Sequence, residues 1–416
     1  MAVTTILAID DYVDFLLQTN KELTIYKNKL LEKSDYDDEY YDYVCEKVSE
    51  YYESKLPEIN SEIKKFQNRN ITKNQHSSGF TNTGIIVNKI NVDIKTSTLE
   101  LINKFSTKSK IDFHPGSEDR VRDLVHPSVY PLVRDDQKEP NVKKTDFWSR
   151  PYESSKFQWL PSEFKIDAGG KCEIKSYINN LPIEEYELYN NISNLFDTVL
   201  PDLEKSWSYA NSIHIYKENT NMCGNIHNKL ENISLKNKNL QVITKIVQIH
   251  LKPNDQFMGS WHVEGMSHEN IVATASCTLE QSDDIKTKLY FKRGYYEEEA
   301  DHLLMNSHNV PSEIHDLYHS KLVPIGKVNI KEDTIVVFPN NMVHKVDMIN
   351  KSDEAKTRTI VVFWLIDPNV RITSTQDIPQ QNYDWIEAQK VRLNLMKERT
   401  FHKQSFNQRE INLCEH

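Results

Sequence analysis

The sequence predicts an α+β fold in which helices flank a β-rich sandwich or jelly roll. Helical spacing of apolar residues dominates the start of the chain. Six short runs rich in β-branched and aromatic residues then follow one another between residues 242 and 366. Helical spacing returns after residue 384. Many short strands in succession are the pattern of a sandwich or jelly roll.

Residues 9 to 67 read as helices. Tyr40, Val44, Val48, Tyr51 and Tyr52 recur at helical spacing while acids and lysines fill the other positions, the pattern of a packed helix face. Residues 68 to 95 are rich in Asn, Ser and Thr and read as loop. Prolines at 115, 127, 131, 140, 151 and 161 exclude long helices between Phe113 and Pro161, so this stretch is expected to wrap over a domain surface. Residues 183 to 206 read as a helix ending near Trp207. The strand candidates are 242–251, 271–279, 288–292, 334–338, 344–349 and 357–366. Asp384 to Glu398 returns to helix, with Trp385, Ala388, Val391, Leu393 and Met396 roughly on one face. The expected division is a helical N-terminal region and loop over 1–110, a Pro-rich wrap and helix over 111–239, and a β-rich core with its C-terminal helix over 240–416.

The chain has 416 residues, 38% of them hydrophobic and 10% aromatic, enough for a substantial core. A net charge of −10 argues against general nucleic-acid binding, which needs a basic surface, but leaves room for a local basic patch. No run approaches the ~20 apolar residues that span a bilayer, so no membrane partner is expected. The short apolar run Ile6 to Ile9 follows no basic residue and precedes acids, unlike a secretory signal. Five cysteines are scattered without a Cys-x-x-Cys pair. That argues against a disulfide framework or zinc finger and for a reducing compartment, the cytoplasm first and the nucleus second. Oligomeric state is not legible from these features.

The chemistry concentrates in Trp261-His-Val-Glu264. On an extended segment His262 and Glu264 point to the same face. A further histidine, His344, opens a later strand candidate. Two imidazoles and one carboxylate on one face of a metal leave three positions open, the facial triad of non-haem Fe(II) oxygenases. Two open positions suit a cosubstrate and one suits O₂. With 15 histidines and 61 acids, about two His-x-acid motifs would arise by chance, so the motif alone is weak. The ordered set is more specific: His-x-Glu, then His344, then Arg358 at the start of the last strand candidate. The guanidinium of Arg358 can hold a carboxylate bidentately, which fits a cosubstrate anchor against the plainer reading of a surface ion pair. Lys356 shares its face and is the obvious substitute. His250, His302, His308, His315 and His319 fit no such pattern and read as structural or solvated.

At these residues the chain resembles the fungal-type family catalogued as domain of unknown function 4246, itself similar to 2-oxoglutarate oxygenases. The matching pieces include Asp123-Leu-Val-His-Pro-Ser128, Phe157-Gln-Trp-Leu-Pro161, Ser176-Tyr-Ile-Asn-Asn-Leu-Pro182 and Ser260-Trp-His-Val-Glu-Gly-Met266. Asn270-Ile-Val-Ala-Thr-Ala275, Arg392-Leu-Asn-Leu-Met-Lys-Glu-Arg399 and Leu413-Cys-Glu-His416 fit as well. The resemblance implies a double-stranded β-helix, a cupin-like jelly roll, with helices packed on it. It implies His262, Glu264 and His344 as ligands of Fe(II) and Arg358 as the anchor of 2-oxoglutarate, but names no reaction; the chemistry of such an iron site points to hydroxylation, or demethylation, of a small-molecule, peptide or protein substrate. The wider superfamily commonly has Asp where this chain has Glu264. Two other readings stay open. A zinc hydrolase also uses two His and one Glu, but the helical His-Glu-x-x-His is absent. A β-helix domain that binds a ligand without catalysis needs neither the intact triad nor Arg358. The asparagines Asn179 and Asn180 are candidates for a pocket mouth, although capping a turn is the plainer role.

Overall fold

A computed structural model describes residues 10–31, 38–70, 84–134, 156–211, 233–294, 322–381, 383–405 and 412–413. The expectations for residues 1–9, His302, His308, His315 and His319 lie outside these residues. Two helices open the chain, α1 (Asp10–Leu31) and α2 (Asp38–Asn68). The apolar stripe of α2 is buried at Val44, Val48 and Tyr52. A short strand β1 (Ile86–Lys89) and helix α3 (Val92–Lys108) follow, so the loop reading of residues 68 to 95 fails at its end. Asn91 starts α3: its side-chain oxygen accepts from the N–H groups of Asp93 and Ile94. An Asn that composition counts towards a loop is here a helix cap.

Five short strands come next: β2 (Val121–Val125), β3 (Leu132–Val133), β4 (Phe157–Gln158), β5 (Ser162–Ile166) and β6 (Cys172–Ile174). Helix α4 (Tyr186–Ala210) matches the expected helix, extended at its C-terminal end. The β-rich half comprises β7 (Asn239–Leu251), β8 (Gln256–Met258), β9 (His262–Val263), β10 (Ile271–Gln281), β11 (Ile285–Gly294), β12 (Leu322–Ile330), β13 (Thr334–Pro339), β14 (Val343–Asn350) and β15 (Lys356–Ile366). Helix α5 (Trp385–Ser405) and β16 (Asn412–Leu413) end the described chain. All six strand candidates are strands, and β12 is an additional one.

The strands form a mixed α/β fold dominated by antiparallel pairing. The larger sheet runs β1-β13-β10-β15-β7-β5-β6, with β2 also on β7. Thirteen-residue β7 shares one edge between two partners: β5 along residues 239–242 and β2 along 246–249. Part of the Pro-rich segment therefore enters the main sheet, and Asp123, His126, Ser128 and Trp159 are buried. The smaller sheet runs β12-β11-β14-β9-β16, with β8 on β14.

Each side of the larger sheet has its own cover. Ile102 and Phe105 of α3 and Phe196 and Leu203 of α4 pack on Ala275, Val337 and Phe363. Each such side chain, fully buried, contributes about 1.5–3 kcal/mol. The opposite side faces the smaller sheet, where Val247, Ile249 and Leu251 meet Ile285 and Met348. Helices α1 and α2 close one end against Leu289, Phe291, Ile325 and Phe338, and α5 closes another through Leu395 against Trp159 and Trp364. No described helix is long and apolar enough to cross a membrane.

Candidate metal centre

The two sheets bring the sequence motif together. His262 on β9 is the register partner of His344 on β14, and their ring centroids are 4.3 Å apart. The Glu264 carboxylate joins them. Its Oε1 lies 3.3 Å from His344 Nε2 and 3.9 Å from His262 Nε2. One donor atom from each residue falls within 4.8 Å of the others, and all three residues are buried.

The donor chemistry fits a divalent cation. His262 Nδ1 lies 2.8 Å from the Ser260 carbonyl oxygen, and His344 Nδ1 lies 3.1 Å from that of Met342. A carbonyl only accepts, so each Nδ1 carries the hydrogen and each Nε2 presents a lone pair to the shared space. Burial pushes the Glu264 carboxyl up, but the contact with His344 Nε2 and the charge that each ring carries when protonated outweigh it and hold the carboxyl at about 2. It is ionised at neutral pH, and its Oε2 has no partner among the described residues. Phe338 packs against His344 at 4.6 Å between centroids and Phe291 at 6.2 Å, giving the site an aromatic wall.

Two residues that the sequence reading missed hold Glu264 in place. Asn340 accepts from the Glu264 N–H at 2.9 Å and donates to its carbonyl at 2.8 Å. Gly265 has φ +64°, and a Cβ there would fall 2.6 Å from Ile271 and 2.7 Å from the Glu269 carboxylate. Glu269 in turn accepts from the N–H groups of Trp159 and Met266 and pairs with Arg399 at 2.7 Å. The signals were Asn340 in Phe338-Pro-Asn-Asn-Met-Val-His344 and a Gly directly after the carboxylate.

Arg358 lies on the interior face of β15, 3% exposed. Its guanidinium contacts Thr278 Oγ1 at 3.1 Å and Met348 Sδ at 3.7 Å, and its Nε is unpartnered. No carboxylate among the described residues pairs with it, and burial alone lowers its pKa to about 10. Lys356 is no substitute, because it points outward to Glu354 at 2.9 Å and Asp284 at 3.9 Å. His250 bonds Thr357 at 3.0 Å, a structural role.

A second buried group, His114, Asp123 and His126, also brings three donors close together, but its chemistry differs. The guanidinium of Arg392 donates to Asp123 and Asp112 and approaches His114 Nδ1 at 2.8 Å. A fixed cation already fills the role a metal would take. His126 Nδ1 accepts from the Ser128 N–H at 3.1 Å, so its hydrogen sits on Nε2 and leaves no lone pair there. Burial lowers the His114 pKa to about 4 and that of His126 well below its usual value. The unfolded chain protonates these rings near 6.5, so acid favours unfolding across that window. The melting temperature is expected to fall as pH drops from about 6.5 to about 4, and to fall less in His126→Asn. A flat profile would mean that the rings are not buried in the neutral form.

Asn179 takes the plainer of its two roles, and the cavity it lines is not the one at the triad. It donates to the carbonyls of Val129 and Tyr130 at 3.0 and 3.1 Å, fixing a turn where Tyr130 has φ +59°. It also lines, with Asn180, Asp112, Asp123 and Trp385, a cavity of about 380 Å³.

A prolyl hydroxylase from Trichoplax adhaerens, solved with a hypoxia inducible factor oxygen degradation domain peptide fragment, is 10% identical, with TM-score 0.29 over 72% of this chain and 88% of that one. The protein described as IDO from Bacillus thuringiensis is 7% identical, with TM-score 0.31 over 68% and 89%. A 2OG-Fe(II) oxygenase family protein from Burkholderia pseudomallei is 11% identical, with TM-score 0.27 over 68% and 85%. No curated protein matches. The family model described as "Protein of unknown function (DUF4246)" matches residues 49–223 and 202–389, so the chain belongs to the DUF4246 family.

Proposed function

We propose that this chain is an Fe(II)- and 2-oxoglutarate-dependent oxygenase, with His262, Glu264 and His344 holding the iron and Arg358 holding the cosubstrate. One observation carries the reading: a metal-competent triad and a buried guanidinium without an acid partner share one interior. A buried charge without a counter-charge is costly, and a dicarboxylate cosubstrate supplies the missing anion. From β10 to β15 the chain passes back and forth between the two sheets, except that β11 and β12 are neighbours in the smaller one, and this order supports reading the core as a double-stranded β-helix.

Iron(II) bound there would supply O₂ activation, coupled to conversion of 2-oxoglutarate into succinate and CO₂ and to hydroxylation, or N-demethylation, of a small-molecule or peptide substrate. The protein's own part is positioning and exclusion. The Nδ1–H bonds to Ser260 and Met342 set both imidazoles, Asn340 and Gly265 set Glu264, and Phe338 with Phe291 keeps water from one side.

The test is cosubstrate affinity. A charge-assisted bidentate pair is worth about 1.5–3 kcal/mol, so Arg358→Ala should weaken 2-oxoglutarate binding about ten- to hundredfold. Arg358→Lys should keep part of the affinity, Lys356→Ala all of it, and Mn(II) binding should survive in each. Titration of 2-oxoglutarate into the Mn(II)-loaded protein reads this, and unchanged affinity in Arg358→Ala removes the assignment.

A chemical outcome follows from Glu264. Losing this carboxylate would free a metal position for a halide; its presence fills that position. Turnover in chloride buffer is expected to yield oxygenated product only, and a chlorinated product seen by mass spectrometry would contradict the role of Glu264.

A further inference from the structure

Strand register fixes what faces the triad. The contact of Arg358 with Met348 sets position 358 of β15 across the interior from position 348 of β14. The two strands run away from the turn between Asn350 and Lys356, so each step from Met348 towards His344 is matched by one from Arg358 towards Val362. By this count Val362 comes to the level of His344. Its partners on the same face are Lys245 on β7 and Ser276 on β10. Arg358 lies four strand positions away, roughly 13 Å along the strand, and cannot serve the same place.

Lys245 has no part in the chemistry described so far. Its side chain is half-buried on the interior face, and its Nζ lies 5.9 Å from the centre of the Trp364 ring. No carboxylate among the described residues forms an ion pair with it, yet its charge reaches Glu264. Beside it on this face, Trp364 and its register partner Thr274 are 1% and 2% exposed. Trp364 Nε1 and Thr274 Oγ1 both lack a hydrogen-bond partner among the described residues. Buried polar atoms in folded proteins are nearly always satisfied. An ammonium with no ion-pair partner among the described residues, over a ring whose N–H is orphaned, offers two donors to an anion such as a carboxylate.

We propose that Lys245 and Trp364 form a substrate subsite opposite the metal centre that binds a carboxylate group, so that the substrate is a carboxylic acid. This deepens the oxygenase reading and rests on it. The donors suit a carboxylate better than a phosphate, whose three oxygens call for more partners.

The experiment uses the full chain loaded with Mn(II) and 2-oxoglutarate, and matched pairs of probes: N-acetyl amino acids and phenylacetate, each beside its primary amide. Line broadening of probe protons by Mn(II) reports binding near the metal. The acids are expected to broaden and the amides not. Lys245→Met should weaken the acids about ten- to hundredfold while Mn(II) and 2-oxoglutarate affinities stay unchanged. Trp364→Phe keeps the stack on Trp159, 5.1 Å between centroids, and removes only the N–H. It should weaken the acids less than Lys245→Met, and it carries the test alone if Lys245→Met does not fold. Equal binding of acids and amides, no binding of any acid, or unchanged acid binding in the folded variants overturns the proposal. Loss of 2-oxoglutarate binding in Lys245→Met also overturns it, by moving Lys245 to the cosubstrate. Failure of the wild type to bind Mn(II) or 2-oxoglutarate, read in the same titration, overturns the oxygenase reading and the subsite with it.

Discussion

The purified protein is expected to hold a single divalent ion at the triad, and His344→Ala to lose it. His344 supplies one of three donors and also the close contact that does most to hold the Glu264 pKa down. Removing it leaves two donors, one of them a carboxylate in a buried pocket with less to hold its charge. Changes that touch only the partners of metal ligands already cost about 10–100-fold in affinity. Loss of a ligand should cost at least about a hundredfold, and His262→Ala the same. Metal analysis after dialysis checks this with wild type and both variants side by side. Equal loading in all three would place the ion elsewhere, with the group around Asp123 the first place to look.

The second large effect concerns folding. Arg392 is fully buried and is the cation shared by Asp112 and Asp123. Burial raises the Asp112 pKa, whereas the rings of His126 and His114 and the guanidinium more than offset burial at Asp123 and depress its pKa. Arg392→Met keeps the length of the side chain but strands buried carboxylates, a loss of about 3–5 kcal/mol. Chemical denaturation should show a lower midpoint, and adding Asp123→Asn should recover part of it. A midpoint equal to wild type would mean that the carboxylates find solvent when the arginine goes.

The strand half was legible because short β-branched and aromatic runs between turn residues leave few alternatives. That His262 and Glu264 lie together was legible from the two-residue period of an extended segment, whereas His344 was named from its place on a later strand. Arg358 could be named because it stands near the start of the last strand candidate, but its lack of an acid partner among the described residues is a property of the folded interior. What escaped the sequence was polar and buried. On α5, Leu393 was assigned to the packed face and is 45% exposed. The buried positions include Ala388, Arg392, Leu395 and Arg399. A polarity pattern scores arginine as surface, yet both arginines turn inward to buried acids more than a hundred residues away in the chain. The same blindness hid Asn340, whose work is to hold another residue's backbone, and Lys245, which reads as an interruption in an apolar strand.

The placement of β9 has a consequence for how the site is made during synthesis. Among the described residues this two-residue strand pairs with β14 and β16 alone, both of which follow it in the chain. Glu264 and His344 are 80 residues apart. At about 5–20 residues per second, a ribosome delivers His344 roughly 4–16 s after Glu264, and Asn412, the β16 partner of His262, later still. Until then a nascent chain offers an ion only His262 and Glu264, on a segment with no neighbouring strand. On the proposed reading, selective metal capture then belongs to the late part of translation or to the released chain, when the third donor has arrived.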